Sequence, residues 1–273
     1  MTKHTVTSTD SARLAVDVVG SGHPLILVGG AFSYRRWPGF VELASLLADS
    51  FTVYGYDRRG RGDSDPGPST SVDLEIDDLA AVVEAAGGDA HIFGMSSGGV
   101  LALRAIASGV PARSAAVYQP PFMVTAGGHL PPADFGSHLA SLVEDDRRSA
   151  AVRYFMTRGM GAPAFVVGMM RFAPFWKNLE AVAHTLPADH AIMGDTLAGR
   201  PLGRQPWSKV AAPTLVLDGA KSGPAVAAAA DELANRLPSA ERRTLPGQSH
   251  NVSMRALADA IVPFALRTES RVR

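Results

Sequence analysis

"HIFGMSSGGVLALRAIA", His91 to Ala107, sets two serines among glycines, after a short apolar run and before a helical one. A nucleophile raised at the tip of a strand–turn–helix exposes its oxygen on a cramped backbone and crowds the positions two residues either side. Small residues are therefore needed there, which is the reason for the pattern Gly-x-Ser-x-Gly. Gly94 and Gly98 flank Ser96 in that way, whereas Ser97 would need small neighbours at Met95 and Gly99, and Met95 is large. The reading assigns Ser96 as the nucleophile. Ser97 contributes its backbone N–H, just past the nucleophile at a helix N-terminus, where an anion is favoured.

Working outward, short β-rich runs alternate with helical patterns. "LAVDVVG" (14–20), "PLILVGG" (24–30), "FTVYGYD" (51–57), "AHIFG" (90–94) and "SAAVYQP" (114–120) read as strands. The second is too apolar for a wet face, as expected of a central parallel strand. Between them, 37–50, 72–88 and 100–109 carry apolar residues at helical spacing; the second has acids in its first turn and glycines as a stop. The rhythm resumes at "PTLVLDG" (213–219), "AVAAAADELANRL" (225–237), "RRTLPG" (242–247) and "LADAIVPFAL" (257–266). The pattern predicts a mostly parallel central sheet with helices on both faces.

From Pro120 to about Pro206 the alternation stops, and short helices rich in Met and Phe take over. The expected organisation is a core over 1–120 and 207–273, interrupted by a helical cap insertion over 121–206. Soft apolar side chains in such an insertion fit a pocket roof, with Phe32, Phe122, Met160, Met170 and Trp176 as candidate lining residues.

A serine hydroxyl is inert without a base. In "TLPGQSHNVS", His250 lies on a loop after the last expected strand, the position for a histidine that follows its serine along the chain. His4 is terminal, His23 precedes a strand and His91 lies within one, while His129, His138, His184 and His190 belong to the insertion. An oxyanion hole needs a second donor from another loop. "LVGGAFSYRRW" follows a central strand, and by position the Ala31 N–H is the candidate partner to the Ser97 N–H. The rival reading, a dinucleotide loop, lacks G-x-G-x-x-G and a suitably spaced acid.

The chain has 273 residues, no cysteine and a formal net charge of +0. That composition excludes disulfides and a thiol nucleophile, and gives no pull toward nucleic acid or an anionic membrane. No apolar span is long enough for a bilayer, and the first residues lack a signal-peptide core. The expectations are a cytoplasmic location, a small apolar substrate, no cofactor or metal, and a monomer or homodimer.

The elbow serine with its later histidine, the "VGGAF" loop (28–32), "YDRRGRGDS" (56–64) after a strand, and the late "GQSH" (247–250) together resemble the α/β-hydrolase fold superfamily. The resemblance runs from Leu14 to about Leu266 and is strongest to small capped esterase-like hydrolases of actinobacterial type. It implies acyl chemistry, since epoxide and dehalogenation chemistry there uses an aspartate nucleophile. It also implies that Asp57 and Arg58 hold the fold. The superfamily places the triad acid near Ser222 or at Gln119, and neither is a carboxylate. Three alternatives stand: Asp218 reaches His250, Gln119 accepts the imidazole N–H through its amide oxygen, or no third member exists. The expectation leans to Asp218 with Gln119 nearby. The missing carboxylate keeps open a cofactor-free lyase, cyclase or acyltransferase, and a non-catalytic binding protein on the same scaffold.

Overall fold

A computed structural model describes residues 2–67, 69–125 and 128–270. Among these described residues, eight strands form one sheet. They are β1 (Thr2–Thr7), β2 (Arg13–Gly20), β3 (His23–Val28), β4 (Phe51–Tyr56), β5 (His91–Met95), β6 (Ser114–Tyr118), β7 (Thr214–Gly219) and β8 (Ala240–Leu245). Their spatial order is β1-β2-β4-β3-β5-β6-β7-β8. The β1–β2 and β2–β4 pairs are antiparallel and every other neighbouring pair is parallel. The expected α/β architecture is the one found. β1 has no counterpart in the sequence reading: five of its six side chains are exposed, so "TKHTVT" shows neither alternation nor an apolar run.

Helices cover both faces. On one side lie α1 (Pro38–Leu47) and, from the chain's far end, the helix Met254–Ser270. On the other lie α2 (Val72–Ala85), α3 (Ser97–Ala107) and the helix Pro224–Arg236. Alternation along the strands feeds both layers. Val216 and Val117 join the layer of Leu79, Val100 and Leu233, while Leu215, Leu217 and Phe93 join that of Leu43, Leu257 and Ile261.

Among the described residues no strand lies between Tyr118 and Thr214. The chain there forms α4 (Phe135–Glu144), α5 (Arg148–Tyr154), a π-helical turn (Phe155–Gly159), α6 (Ala164–Met170), α7 (Trp176–Ala181) and α8 (Leu186–Met193). The helices named above from the last part of the chain are α9 (Pro224–Arg236) and α10 (Met254–Ser270). The insertion has its own small core, built on Phe135, Leu139, Val152, Val167, Trp176 and Leu186, and Ala31 and Phe32 of the β3 loop pack against it.

Candidate functional site

Strain marks the place. Among the described residues, five that are not glycine have positive φ, a conformation L side chains rarely adopt. Three of these, Phe32 (φ 64°), Ser96 (φ 55°) and Gln119 (φ 46°), lie just beyond the carboxyl ends of β3, β5 and β6, three neighbouring strands. Such strain persists only where the surroundings impose it, and in open α/β sheets this edge is where ligands bind.

Ser96 sits between β5 and α3 at φ 55°, ψ −128°. Close approach explains its glycines. A Cβ on Gly94 would fall 2.5 Å from Gly99 Cα, and one on Gly98 would fall 2.4 Å from Val28 O. Although Ser96 is the N-cap residue of α3, its hydroxyl makes no capping hydrogen bond. A serine there ordinarily caps from a β-region backbone; at φ 55°, ψ −128° this one does not.

Gly30 brings the β3 loop against the elbow, for a Cβ there would lie 3.0 Å from Ser96 Cβ and 2.7 Å from Met95 O. Among the described residues, neither the Ala31 N–H nor the Ser97 N–H donates to a protein acceptor outside the helix. The Gly30 carbonyl, the other end of the Ala31 peptide group, accepts from Arg61 Nη1 at 2.5 Å and from Ser33 Oγ at 2.6 Å. A guanidinium on the carbonyl polarises the peptide and strengthens its N–H as a donor.

His250 is carried on the loop between β8 and α10. That loop is tied down at several points. Tyr118 Oη donates to Ser249 O at 2.5 Å, Lys221 N donates to Gln248 O at 2.8 Å, and Gly219 admits Gln248 where a Cβ would strike its carbonyl. His250 Nδ1 lies 3.0 Å from Gln119 Oε1. The amide orientation follows from its neighbours. Tyr118 Oη has spent its proton on Ser249, so toward Gln119 it only accepts, and Gln119 Nε2 donates to it at 3.2 Å and to Ser222 Oγ at 2.5 Å. Oε1 is left for the ring, so Nδ1 carries the proton and Nε2 keeps its lone pair. His250 is exposed as a residue. Protein packed around its ring nonetheless disfavours the charged form and lowers its pKa below the ordinary histidine value. Ser96 and Gln119 stand on adjacent strand ends, joined by Ser96 N donating to Tyr118 O at 2.9 Å. Ser96 Oγ itself makes no hydrogen bond to the imidazole among the described residues.

The expectation for Asp218 is corrected. Its carboxylate is buried and pairs with Arg242 at 2.9 Å, with no hydrogen bond to His250. Asp218 shares its sheet face with Val216, and in register it stands opposite Thr244, whose hydroxyl also receives Arg242. Its carboxylate is held there by Arg242, which also pairs with Asp231 of α9.

The pocket residues are similarly redistributed. Phe122 belongs to the main core, its ring 5.1 Å from Trp207. Trp176 is 3% exposed inside the insertion's core, its indole N–H donating to Glu180 and Ser149. Met160 is 54% exposed to solvent. Met170 packs against the insertion's core, and Phe32 meets Phe155 edge to face at 5.5 Å. Of the five, Phe32 alone belongs to the loop that touches Ser96.

Asp189 of α8 was not foreseen. It is 1% exposed and takes Arg58 at 2.7 Å, Arg61 at 2.6 Å and the Ser97 hydroxyl at 2.8 Å. Glu75 completes the cluster on Arg58 at 2.6 Å, giving two buried cations for two anions. Burial opposes its charge, but Arg61 and Arg58 outweigh it and hold the Asp189 carboxyl below the usual carboxylate range. Asp57 is fully buried between Arg35 and the Asp63 N–H. No group of three or more candidate metal ligands occurs among the described residues.

Residues 18–262 match the profile of the alpha/beta hydrolase family. The chain belongs to the alpha/beta hydrolase family. The crystal structure of an alpha/beta hydrolase from Sphaerobacter thermophilus is similar to this one at TM-score 0.89 and 46% identity, over 96% of this chain and 99% of that one. N-formylmaleamate deformylase of Pseudomonas putida is 42% identical over 95 residues, which is 34% of this alpha/beta hydrolase and 35% of the deformylase. The fold is shared with an esterase from Rhodococcus sp. ECU1013 at TM-score 0.68 and 21% identity, over 97% and 99% of the two chains.

Proposed function

We propose that this alpha/beta hydrolase cleaves an ester or related acyl bond of a medium-sized apolar molecule, with Ser96 as nucleophile and His250 as base. One observation carries the reading: a serine held at φ 55° with its hydroxyl withdrawn from helix capping, beside a strand end whose glutamine holds an imidazole at Nδ1. Ser96 Oγ attacks the acyl carbon and its proton passes to His250 Nε2. The developing oxyanion accepts from the Ala31 and Ser97 N–H groups. The imidazolium then protonates the leaving group, and a water activated by His250 releases the acyl-serine. The unmade Ser96–His250 hydrogen bond does not oppose this, since catalytic hydrogen bonds are often long or poorly aligned before substrate binds. The relative matched over 95 residues is named a deformylase, and acyl chemistry is in keeping with that name.

Gln119 takes the place of the usual acid. Its amide oxygen fixes the same tautomer as a carboxylate would, but offers the imidazolium a dipole in place of a charge. A fluorophosphonate probe tests the assignment: one covalent adduct on Ser96, absent in Ser96→Ala, with turnover of a p-nitrophenyl ester series falling to background. Folded wild type that takes up no probe overturns it. Activity on the native substrate that survives Ser96→Ala moves the reading to lyase, cyclase or acyl-transfer chemistry in which Ser96 and His250 only polarise.

A further inference from the structure

The chain is neutral as a whole, yet its charge is unevenly placed. From Arg147 to Leu179 it carries Arg147, Arg148, Arg153, Arg158, Arg171 and Lys177 and no acid. Arg148 is tied to Asp146 at 2.7 Å; among the described residues the other five have no ion-pair partner. The same stretch holds most of the molecule's exposed large apolar side chains, among them Phe165 at 73%, Met169 at 69% and Phe172 at 81%.

These two features meet around α6. α6, "AFVVGMM", has no polar side chain at all. It packs Val167 inward against α5 and the π-helical turn and turns Phe165, Val166 and Met169 to solvent. A helix apolar all round is normally covered. At its start, Ala164 borders a groove of 590 Å³ lined by Arg147, Arg153 and Arg158 with Tyr154 and Thr157. Beyond its end, a second groove of 350 Å³ holds Arg171, Lys177 and Phe172, with Glu180 its one acid, already engaged by Trp176. Arg171 lies 5.5 Å over the Phe172 ring. The apolar ridge is thus bracketed by cationic grooves.

The geometry points to this face docking on an anionic phospholipid surface. Phe165, Met169 and Phe172 would enter the acyl–headgroup boundary while Arg153, Arg158, Arg171 and Lys177 meet the phosphates. Charge complementarity selects this occupant. A second copy in a two-fold contact would set the same unpaired cations against themselves, whereas a lipid surface supplies both the negative charge and the apolar layer that the ridge needs.

Flotation of the full chain with vesicles of phosphatidylcholine, with and without phosphatidylglycerol, tests it. Binding is expected to the anionic vesicles and to fall as salt is raised. R171E/K177E is expected to weaken partitioning by roughly tenfold or more. F165S/F172S is expected to abolish it, with circular dichroism and turnover of a soluble ester unchanged. L266S, which alters an exposed leucine on α10, is expected to bind as wild type. Should F165S/F172S fail to fold, the salt series and the charge-reversal variant still decide. Absent binding, equal binding to neutral and anionic vesicles, or a dimer in light scattering that F172S abolishes would each overturn the proposal, the last by making the face a contact between copies.

Discussion

At the scale of single residues, the proposed base His250 has Gln119 as its Nδ1 partner. Protein packed around the ring lowers the imidazole pKa and no carboxylate raises it again, so neutral base persists to lower pH. The acid limb of kcat/KM is therefore expected below the ordinary histidine value of about 6.5. In Gln119→Asp a carboxylate beside the ring would favour imidazolium, and the limb should move up in pH, read from a pH–rate profile against wild type. Gln119→Ala leaves Nδ1 unheld, and kcat is expected to fall by roughly 10²–10⁴-fold, the range of a positioned general base. An unchanged profile in both variants would remove Gln119 from the proposed chemistry.

At the scale of the element, the β5–α3 elbow depends on hydrogen atoms standing where side chains would be. Gly98→Ala would press a Cβ to 2.4 Å from Val28 O and 2.6 Å from Gly29 O, both backbone atoms of the neighbouring loop. A loss of about 1–3 kcal/mol is expected, together with lowered turnover, because the same shift displaces the Ala31 loop. Gly168 gives the contrast. It lies within α6 with nothing within 4 Å of a Cβ and no positive φ, so Gly168→Ala should stabilise by about 0.5–1 kcal/mol. Thermal unfolding of the pair checks that the cost at Gly98 comes from packing, not from replacing glycine as such.

At the scale of the whole molecule, the insertion is joined to the sheet through charge. Asp189 on α8 is the anion that Arg58 and Arg61, from the loop after β4, both require, and it also receives Ser97 next to the elbow. Asp189→Ala would leave buried guanidiniums short of a partner, and a loss of about 3–5 kcal/mol is expected by denaturant titration. The pH dependence has a defined sign. The folded-state pKa of Asp189 lies below its model-peptide value, so its stabilisation is complete above that value and is lost as pH falls through the lower folded one. Wild type should therefore show a steeper loss of stability under strong acid than Asp189→Ala.

The elbow, the order of serine before histidine and the parallel sheet were legible along the chain, because each rests on local chemistry: glycines where a turn is cramped, apolar runs where a strand is covered on both faces, a loop histidine past the last strand. β1 was not legible, since an edge strand wet on nearly all its side chains leaves no hydrophobic period. Which of the two named candidates meets His250 was not legible either. Asp218 and Gln119 both end strands, and only the register of β7 against β8 sends one toward Arg242 and leaves the other to the imidazole. Asp189 lies 128 positions from Arg61 and 92 from Ser97, a separation no local pattern spans. Sequence by itself determined the kind of fold and which group, Ser96, stands at its cramped turn. Which side chains then gathered around that group was decided by tertiary structure, because strand alternation and packing set the direction of a side chain far more than its place in the chain does.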